Sequence, residues 1–244
     1  MLRRLASRLR RRPKAPKPLG EHLALPRTRD FLFADLDSTM ALRVFGLGPR
    51  PAPIVDLAKA VNRRDVPAAR VALADVLIRH PETRLWLQAW ALAREAGLPP
   101  SDSARRVRGV IVEMGLELGV DTVAGYDDGS ARYLNQAGGG VSWDGRSTPD
   151  LAIIAGVDAL LAAGQAAVDA NVPLAAVRPG PPPHGAAMVA ILTEGGIHFG
   201  AGPADVLSRD PYGGPAIAAA IKLMVALIDM SQKQGARRKA RRSA

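Results

Sequence analysis

The chain has no cysteine among its 244 residues. This absence excludes disulfides, zinc sites built on thiolates, and thiol nucleophiles. The N-terminus also lacks the continuous apolar run that a secretory signal needs. Both absences fit a reducing compartment, and we expect the protein to be cytoplasmic.

Aromatic residues and histidine are scarce as well. Aromatics make up 4% of the chain and hydrophobic residues 48%, so the predicted core is built from Ala, Leu, Val and Ile. The four histidines are scattered without an i, i+4 pair: His22, His80, His184 and His198. With neither thiolates nor paired histidines, the sequence predicts no metal site and no cofactor.

No apolar run is long and uninterrupted enough to predict a membrane span. The stretch 151–168 contains Asp158, and the stretch 217–230 contains Lys222 and Asp229. We expect both stretches to form buried helices of a folded domain.

Positive charge is concentrated at the two ends of the chain. Residues 1–20 carry eight Lys and Arg, residues 233–244 carry six, and neither segment has an acid. All 23 acidic residues therefore lie between the ends, where they outnumber the bases, although the whole chain has a net charge of +10. Blocks of like charge stay solvated and typically act as interaction arms.

The basic ends predict binding to a polyanion. The residues that we expect to neutralise phosphates are Arg8, Arg10, Arg11, Arg12, Arg237, Arg238, Lys239, Arg241 and Arg242. No aromatic residue is interleaved with them, so any binding to nucleic acid would be non-specific. An anionic membrane surface and an acidic protein remain equally good targets.

Composition divides the chain into four parts. Three prolines after residue 12 end any first helix, and Leu98-Pro99-Pro100-Ser101 marks a second boundary. The predicted parts are a basic flexible arm at 1–20, a mostly helical subdomain at 21–98, an α+β antiparallel-sheet domain at 105–232 and a basic disordered tail at 233–244.

Three amphipathic helices are predicted in the helical subdomain, at about 54–62, 67–79 and 82–96. Asp65 is placed to cap the second helix, and Gly97 follows the third as a helix-ending signal. Small and large apolar residues then recur with a regular spacing: Ala69, Leu73, Val76, Pro81, Leu85, Trp86 and Ala89. In this spacing, residues 57–96 resemble a single tetratricopeptide-like helical hairpin, which implies two nested antiparallel helices.

Trp86 and Trp90 lie at i, i+4 on one face of the third helix. Such a pair is favoured at protein interfaces and also in cores. We take both residues as candidates for a protein contact and keep core packing as the alternative.

The period of the pattern changes after residue 105, where short β-branched runs predict strands. Asp127-Asp128-Gly129 predicts a hairpin turn, and a capped helix is predicted to follow it up to about residue 170. A second hairpin and a final helix at about 214–230 complete an α+β fold. We expect about five or six antiparallel strands with two long helices packed on them. The order of elements resembles profilin-like or roadblock-like modules, which implies dimerisation and protein contacts.

One short motif suggests chemistry. Asp35-Leu36-Asp37-Ser38-Thr39 resembles the first motif of haloacid-dehalogenase-like phosphatases, where it ends a strand. The resemblance implies that Asp35 is a nucleophile and Asp37 a general acid/base beside Mg²⁺. The later lysine and acidic pair of that family have no counterpart here, and a helix cap or turn is the alternative interpretation.

The sequence therefore predicts a non-enzymatic binding or scaffold protein. Its core would contact a protein partner, including a second copy of the chain, and its tails would bind a polyanion. An RNA- or ribosome-associated factor is the first alternative, and a phosphatase that uses Asp35 and Asp37 is the second.

Overall fold

The computed structural model describes residues 24–46, 53–79, 82–145, 149–175 and 177–242, with the side chains of 24–28 and 237–242 left out. The predicted arm at 1–20 lies outside the described residues. So do Pro81 of the predicted hairpin and His22 and His80.

The first half of the described chain is helical. The helices are α1 (Ala24–Phe33), α2 (Ser38–Phe45), α3 (Pro53–Asn62), α4 (Val66–Ile78) and α5 (Thr83–Glu95). The last three confirm the predicted helices. Asp65 caps α4 by accepting from the backbone N–H of Ala68 at 3.0 Å, and Gly97 ends the last helix with a positive φ of 74°.

A six-stranded antiparallel sheet follows, in the order β4-β3-β2-β1-β5-β6. The strands are β1 (Val107–Leu116), β2 (Gly119–Tyr126), β3 (Ala131–Leu134), β4 (Gly140–Trp143), β5 (Ala186–Thr193) and β6 (Gly196–Pro203). The helices of this part are α6 (Leu151–Asp169), the short α7 (Ala204–Leu207) and α8 (Gly213–Arg242). The predicted α+β class, with six strands and two long helices, is confirmed.

Helices α6 and α8 pack together over one face of the sheet. Glycine allows this close packing, because a Cβ at Gly156 would lie 3.2 Å from the Cα of Leu223 in α8. A Cβ at Gly164 would lie 2.6 Å from a methyl carbon of Val110 in β1. Val110 and Leu223 belong to one apolar cluster that joins both helices to the sheet.

The opposite face of the sheet is also covered. Leu32 and Phe33 of α1 and Leu87 of α5 pack on Ile111, Tyr126 and Met188. The Tyr126 hydroxyl donates to the backbone oxygen of Leu32 at 2.8 Å. The central strand β1 is consequently buried on both faces, which explains its nearly continuous apolar sequence.

Helix α8 is longer than the sequence pattern predicts. It continues from the buried Met230 through the segment 233–242, part of the predicted disordered tail. Ala, Arg, Lys and Gln favour helix, and adding residues to an existing helix avoids the cost of nucleation. The residues 231–236 are all exposed, so the end of α8 leaves the body of the protein.

Candidate functional site

The helical half and the sheet meet at a junction of charged side chains centred on Glu194. This carboxylate lies in the turn between β5 and β6 and is fully buried. It accepts from Trp86 Nε1 at 3.1 Å, Arg108 Nη2 at 3.1 Å and Ser103 Oγ at 3.0 Å, and also from Ser101 Oγ. Burial raises the pKa of Glu194, but these hydrogen bonds outweigh it and leave the pKa below its ordinary value.

The predicted hairpin turn also binds the start of α5. Asp128 accepts from the backbone N–H of Thr83 at 3.0 Å, and Asp127 accepts from the Thr83 hydroxyl at 2.5 Å. Arg108 joins the same group by donating to Asp127 at 2.8 Å. Because Thr83 begins α5, the turn supplies the cap that this helix lacks locally.

A buried ion pair connects α1 to the central strand. Arg29 donates to Glu113 through Nε at 2.6 Å and Nη2 at 2.7 Å, and the Glu113 side chain is fully buried. The guanidinium groups of Arg29 and Arg178 lie 5.1 Å and 4.9 Å from the ring centre of Phe33. Arg178 in turn pairs with Asp35 at 2.9 Å and with Asp30.

A cleft of about 640 Å³ opens beside this junction, between α5 and the start of β6. We call it the Arg94 cleft. Its charged lining residues are Asp35, Asp37, Arg94, Glu95 and Arg178. Its volume falls in the range of roughly 300–1,000 Å³ that is usual for small-molecule sites.

The two acids of the predicted phosphatase motif lie at the rim of this cleft with different partners. Helix α1 ends at Phe33, two residues before Asp35, where the resemblance implies a strand. Asp37 caps α2 by accepting from the backbone N–H of Met40 at 2.7 Å. Burial raises the pKa of Asp35, although Arg178 opposes this shift. Among the described residues, no group of three or more acids or histidines could hold a metal ion.

Helices α6 and α8 present an apolar surface to solvent on their outer side. Leu151 and Ile154 of α6 are 80% and 39% exposed, and Val225 of α8 is 39% exposed. By length and composition both helices could cross a membrane, although 39% and 50% of their most apolar windows are buried. We call the exposed side of this pair the outer face.

The structure places the two candidate tryptophans differently. Trp90 is 6% exposed and belongs to the core of the helical half, which is the alternative that the sequence analysis kept open. Trp86 is half-buried and joins the junction through Glu194 and Arg108, whose guanidinium lies 5.1 Å from its ring centre.

The predicted polyanion-binding residues are only partly described. Arg8, Arg10, Arg11 and Arg12 lie outside the described residues. Arg237, Arg238, Lys239, Arg241 and Arg242 lie on the last turns of α8, where the structure describes the backbone alone.

The junction was not predicted from the sequence. Glu194, Arg94 and Arg178 were not candidate site residues, because they are far apart in sequence. The local pattern around each of them predicts only a turn, a helix or a loop. One local signal was available, since Glu194 precedes two glycines at a predicted turn. Comparisons with family models, curated proteins and solved structures find no match for this chain.

Proposed function

We propose that the protein is a non-enzymatic binding protein whose outer face pairs with a second copy and whose basic ends bind a polyanion. The exposed apolar surface of α6 and α8 carries this proposal. Apolar side chains exposed together on one face mark interaction sites in soluble proteins when they form a contiguous patch. A dimer would remove it from water.

Charge on the outer face favours a second copy as the partner. Asp158 of α6 and Lys222 of α8 are both exposed. Asp158 is two residues from Gly156, and Lys222 is next to Leu223, which Gly156 contacts. The two charges therefore stand at nearly the same level of the helix pair. In the described structure they form no ion pair with each other.

A two-fold axis at this level would form two ion pairs at once. In such an isologous contact, Asp158 of one copy faces Lys222 of the other, and the reverse pair is formed by symmetry. Exposed alanines of α6, among them Ala155 and Ala159, would allow the helices of the two copies to approach closely. The charges of the outer face are thus complementary under a two-fold axis, and its small side chains favour close approach.

Sedimentation equilibrium of a charge-swap series tests this pairing. We expect Asp158→Lys and Lys222→Asp each to weaken dimerisation by roughly tenfold or more, because like charges then face each other. The double swap should restore it. Val71→Lys is the matched control, since Val71 is 72% exposed on α4, outside the outer face. The proposal would be contradicted by a monomeric wild type, or by a dimer whose affinity is unchanged in both single variants.

The basic ends supply the second half of the proposed function. Helix α8 connects the outer face directly to the basic segment 233–242. Lys and Arg in this segment and in the N-terminal arm would neutralise phosphates and release counterions. Binding would then be strong at low salt and weak at high salt.

A salt series on the full-length chain tests the polyanion. The probes are a short single-stranded RNA and vesicles that contain phosphatidylserine, at about 50 mM and about 200 mM salt. The variants change to Gln either the C-terminal set (Arg237, Arg238, Lys239, Arg241 and Arg242) or the N-terminal set (Arg8, Arg10, Arg11 and Arg12). We expect salt-sensitive binding that falls in both variants. RNA binding would favour an RNA- or ribosome-associated role, and vesicle binding would favour docking on an anionic membrane surface. If neither probe is bound, the proposal that the basic ends bind a polyanion is contradicted.

A further inference from the structure

The Arg94 cleft contains a cation that no carboxylate neutralises at close range. Arg94 donates through Nη1 to the backbone oxygen of Glu194. Within the described ranges it has no ion pair, whereas the neighbouring Arg178 has two. Burial lowers the pKa of Arg94, and Asp35 partly offsets this shift. The guanidinium therefore keeps free donors in a half-buried position, where a ligand anion would be bound most strongly.

The cleft also offers an acceptor for a cation. Asp35 uses Oδ1 for its bond to Arg178 Nη1, and no bond to its other oxygen is found in the described part of the chain. The other two acids of the cleft suit this role less well. Both oxygens of Glu95 accept from Ser38, at 2.8 Å and 2.6 Å. Asp37 uses Oδ1 to cap α2 and is exposed, whereas Asp35 is half-buried. A ligand ammonium group beside Asp35 would therefore be better shielded from water than one beside Asp37.

The overall charge of the lining decides between ligand classes. Three carboxylates and two guanidinium groups are among the described lining residues, which therefore carry no excess of positive charge. A phosphate or another multiply charged anion would be repelled by the acids. A ligand with one positive and one negative group meets a complementary partner at both ends.

Apolar side chains complete the walls. Leu36, Leu174, Val177 and Ile197 line the cleft, and Leu174 and Val177 are 52% and 80% exposed. A ligand with an aliphatic part would cover these residues and remove their surface from water.

We propose that the Arg94 cleft binds a small α-amino carboxylate with an aliphatic side chain. Arg94 holds the carboxylate, Asp35 holds the ammonium group, and Leu174 contacts the aliphatic chain. The cleft is lined by α5, the start of β6, residues 35–37 and the loop residues Leu174 and Arg178, with no contribution from α6 or α8 among its described lining residues. The site is therefore separate from the proposed dimer face.

Titration with three related compounds tests the two charged ends. The probes are L-leucine, 4-methylpentanoate, which lacks the ammonium group, and L-leucinamide, which lacks the carboxylate. We expect saturable binding of L-leucine by calorimetry and binding of each analogue that is weaker by roughly tenfold or more. L-leucine should also raise the thermal unfolding midpoint, because it binds the folded state. No saturable binding of L-leucine, or equal binding of all three compounds, would overturn the proposal.

Variants then assign the groups. Arg94→Gln and Asp35→Asn should each weaken L-leucine binding by roughly tenfold, and Leu174→Ala should weaken it by less while preserving the preference for L-leucine. Arg79→Gln and Asp75→Asn are matched controls, because this exposed pair lies on α4 outside the cleft. Binding that is unchanged in both Arg94→Gln and Asp35→Asn would overturn the assignment. If Arg94→Gln fails to fold, the relative affinities of the three compounds for the wild-type protein still test the proposal.

Discussion

Helices α6 and α8 cover one face of the sheet mainly with apolar side chains and no ion pair in the described structure, and Gln165 accepts from the backbone N–H of Val107 at 3.0 Å. Helices α1 and α5 cover the other face with an apolar centre bordered by ion pairs. Leu160 and Leu223 are typical of the first face. Arg29, Glu113 and Glu194 are typical of the second. Apolar contact is not directional, so it stabilises the packing of helices on a sheet without fixing one orientation. Paired charges tolerate few arrangements, so we expect them to favour one orientation of the helical half on the sheet.

The largest expected loss of stability on the charged face is at the buried pair of Arg29 and Glu113. Glu113→Leu should lower the free energy of unfolding by about 3–5 kcal/mol, because it leaves Arg29 buried without a partner. The double variant Arg29→Met with Glu113→Leu should recover most of this loss. Urea denaturation measures both. Asp75→Leu, at an exposed pair, serves as the control and should change stability little. A single variant as stable as the wild type would contradict the role of the pair.

The apolar face should respond to lost volume instead. Leu160→Ala should lower the free energy of unfolding by about 2–5 kcal/mol, since Leu160 is fully buried between α6 and the sheet. The loss should be the same at low and high salt, as expected for apolar contacts. Val71→Ala on α4 is the control, because Val71 is 72% exposed and lies outside the outer face. If the loss of stability in Leu160→Ala depended strongly on salt, charge would also contribute on this face, and the difference between the two faces would be contradicted.

The junction should also respond to acid. Burial raises the pKa of Glu194, but hydrogen bonds to its carboxylate outweigh burial and hold the pKa below its ordinary value in the folded protein. The ionised form therefore stabilises the fold above the unfolded-state pKa. This stabilisation is lost as pH falls through the folded-state pKa. We expect Glu194→Gln to be less stable than the wild type at pH 7 and the two to converge on acidification. Urea denaturation at several pH values measures this, and parallel pH profiles would contradict it.

The smallest effect is expected at the rim of the cleft. Asp37→Ala should cost about 1 kcal/mol of stability, as the loss of a helix N-cap does. Asp37→Asn should retain most of the stability, because an amide oxygen still accepts from the backbone N–H of Met40. Thermal unfolding compares the two. If both variants lost stability equally, the cap would not be the role of Asp37.

Local signals made much of the fold predictable. The Asp65 cap, the helix-ending Gly97 and the turn at Gly129, which has a positive φ of 80°, act within a few residues of themselves. Short β-branched runs allowed β1 and β2 to be predicted for the same reason. Each of these features is encoded where it is found.

The candidate site was not predictable in this way. Arg29 and Glu113 are 84 positions apart, and Arg178 and Asp35 are 143 positions apart. Such pairs form only when α1 and the loop that contains Arg178 are packed beside the sheet. No local pattern in a single sequence encodes this packing. The length of α8 was missed for a different reason. The basic composition of 233–242 predicts a solvated tail. Lys and Arg are nevertheless good helix formers, and a helix that already precedes them can continue without a new nucleation step.

Helix α8 has one further consequence. Its 30 residues span about 45 Å, from the buried Gly213 to the basic end at Arg242. In a dimer through the outer face, the two basic ends would be held at a fixed separation by continuous helix. A polyanion long enough to reach both ends would bind with avidity, because the second contact forms at a high effective concentration. A short polyanion would bind one end only and would dissociate faster.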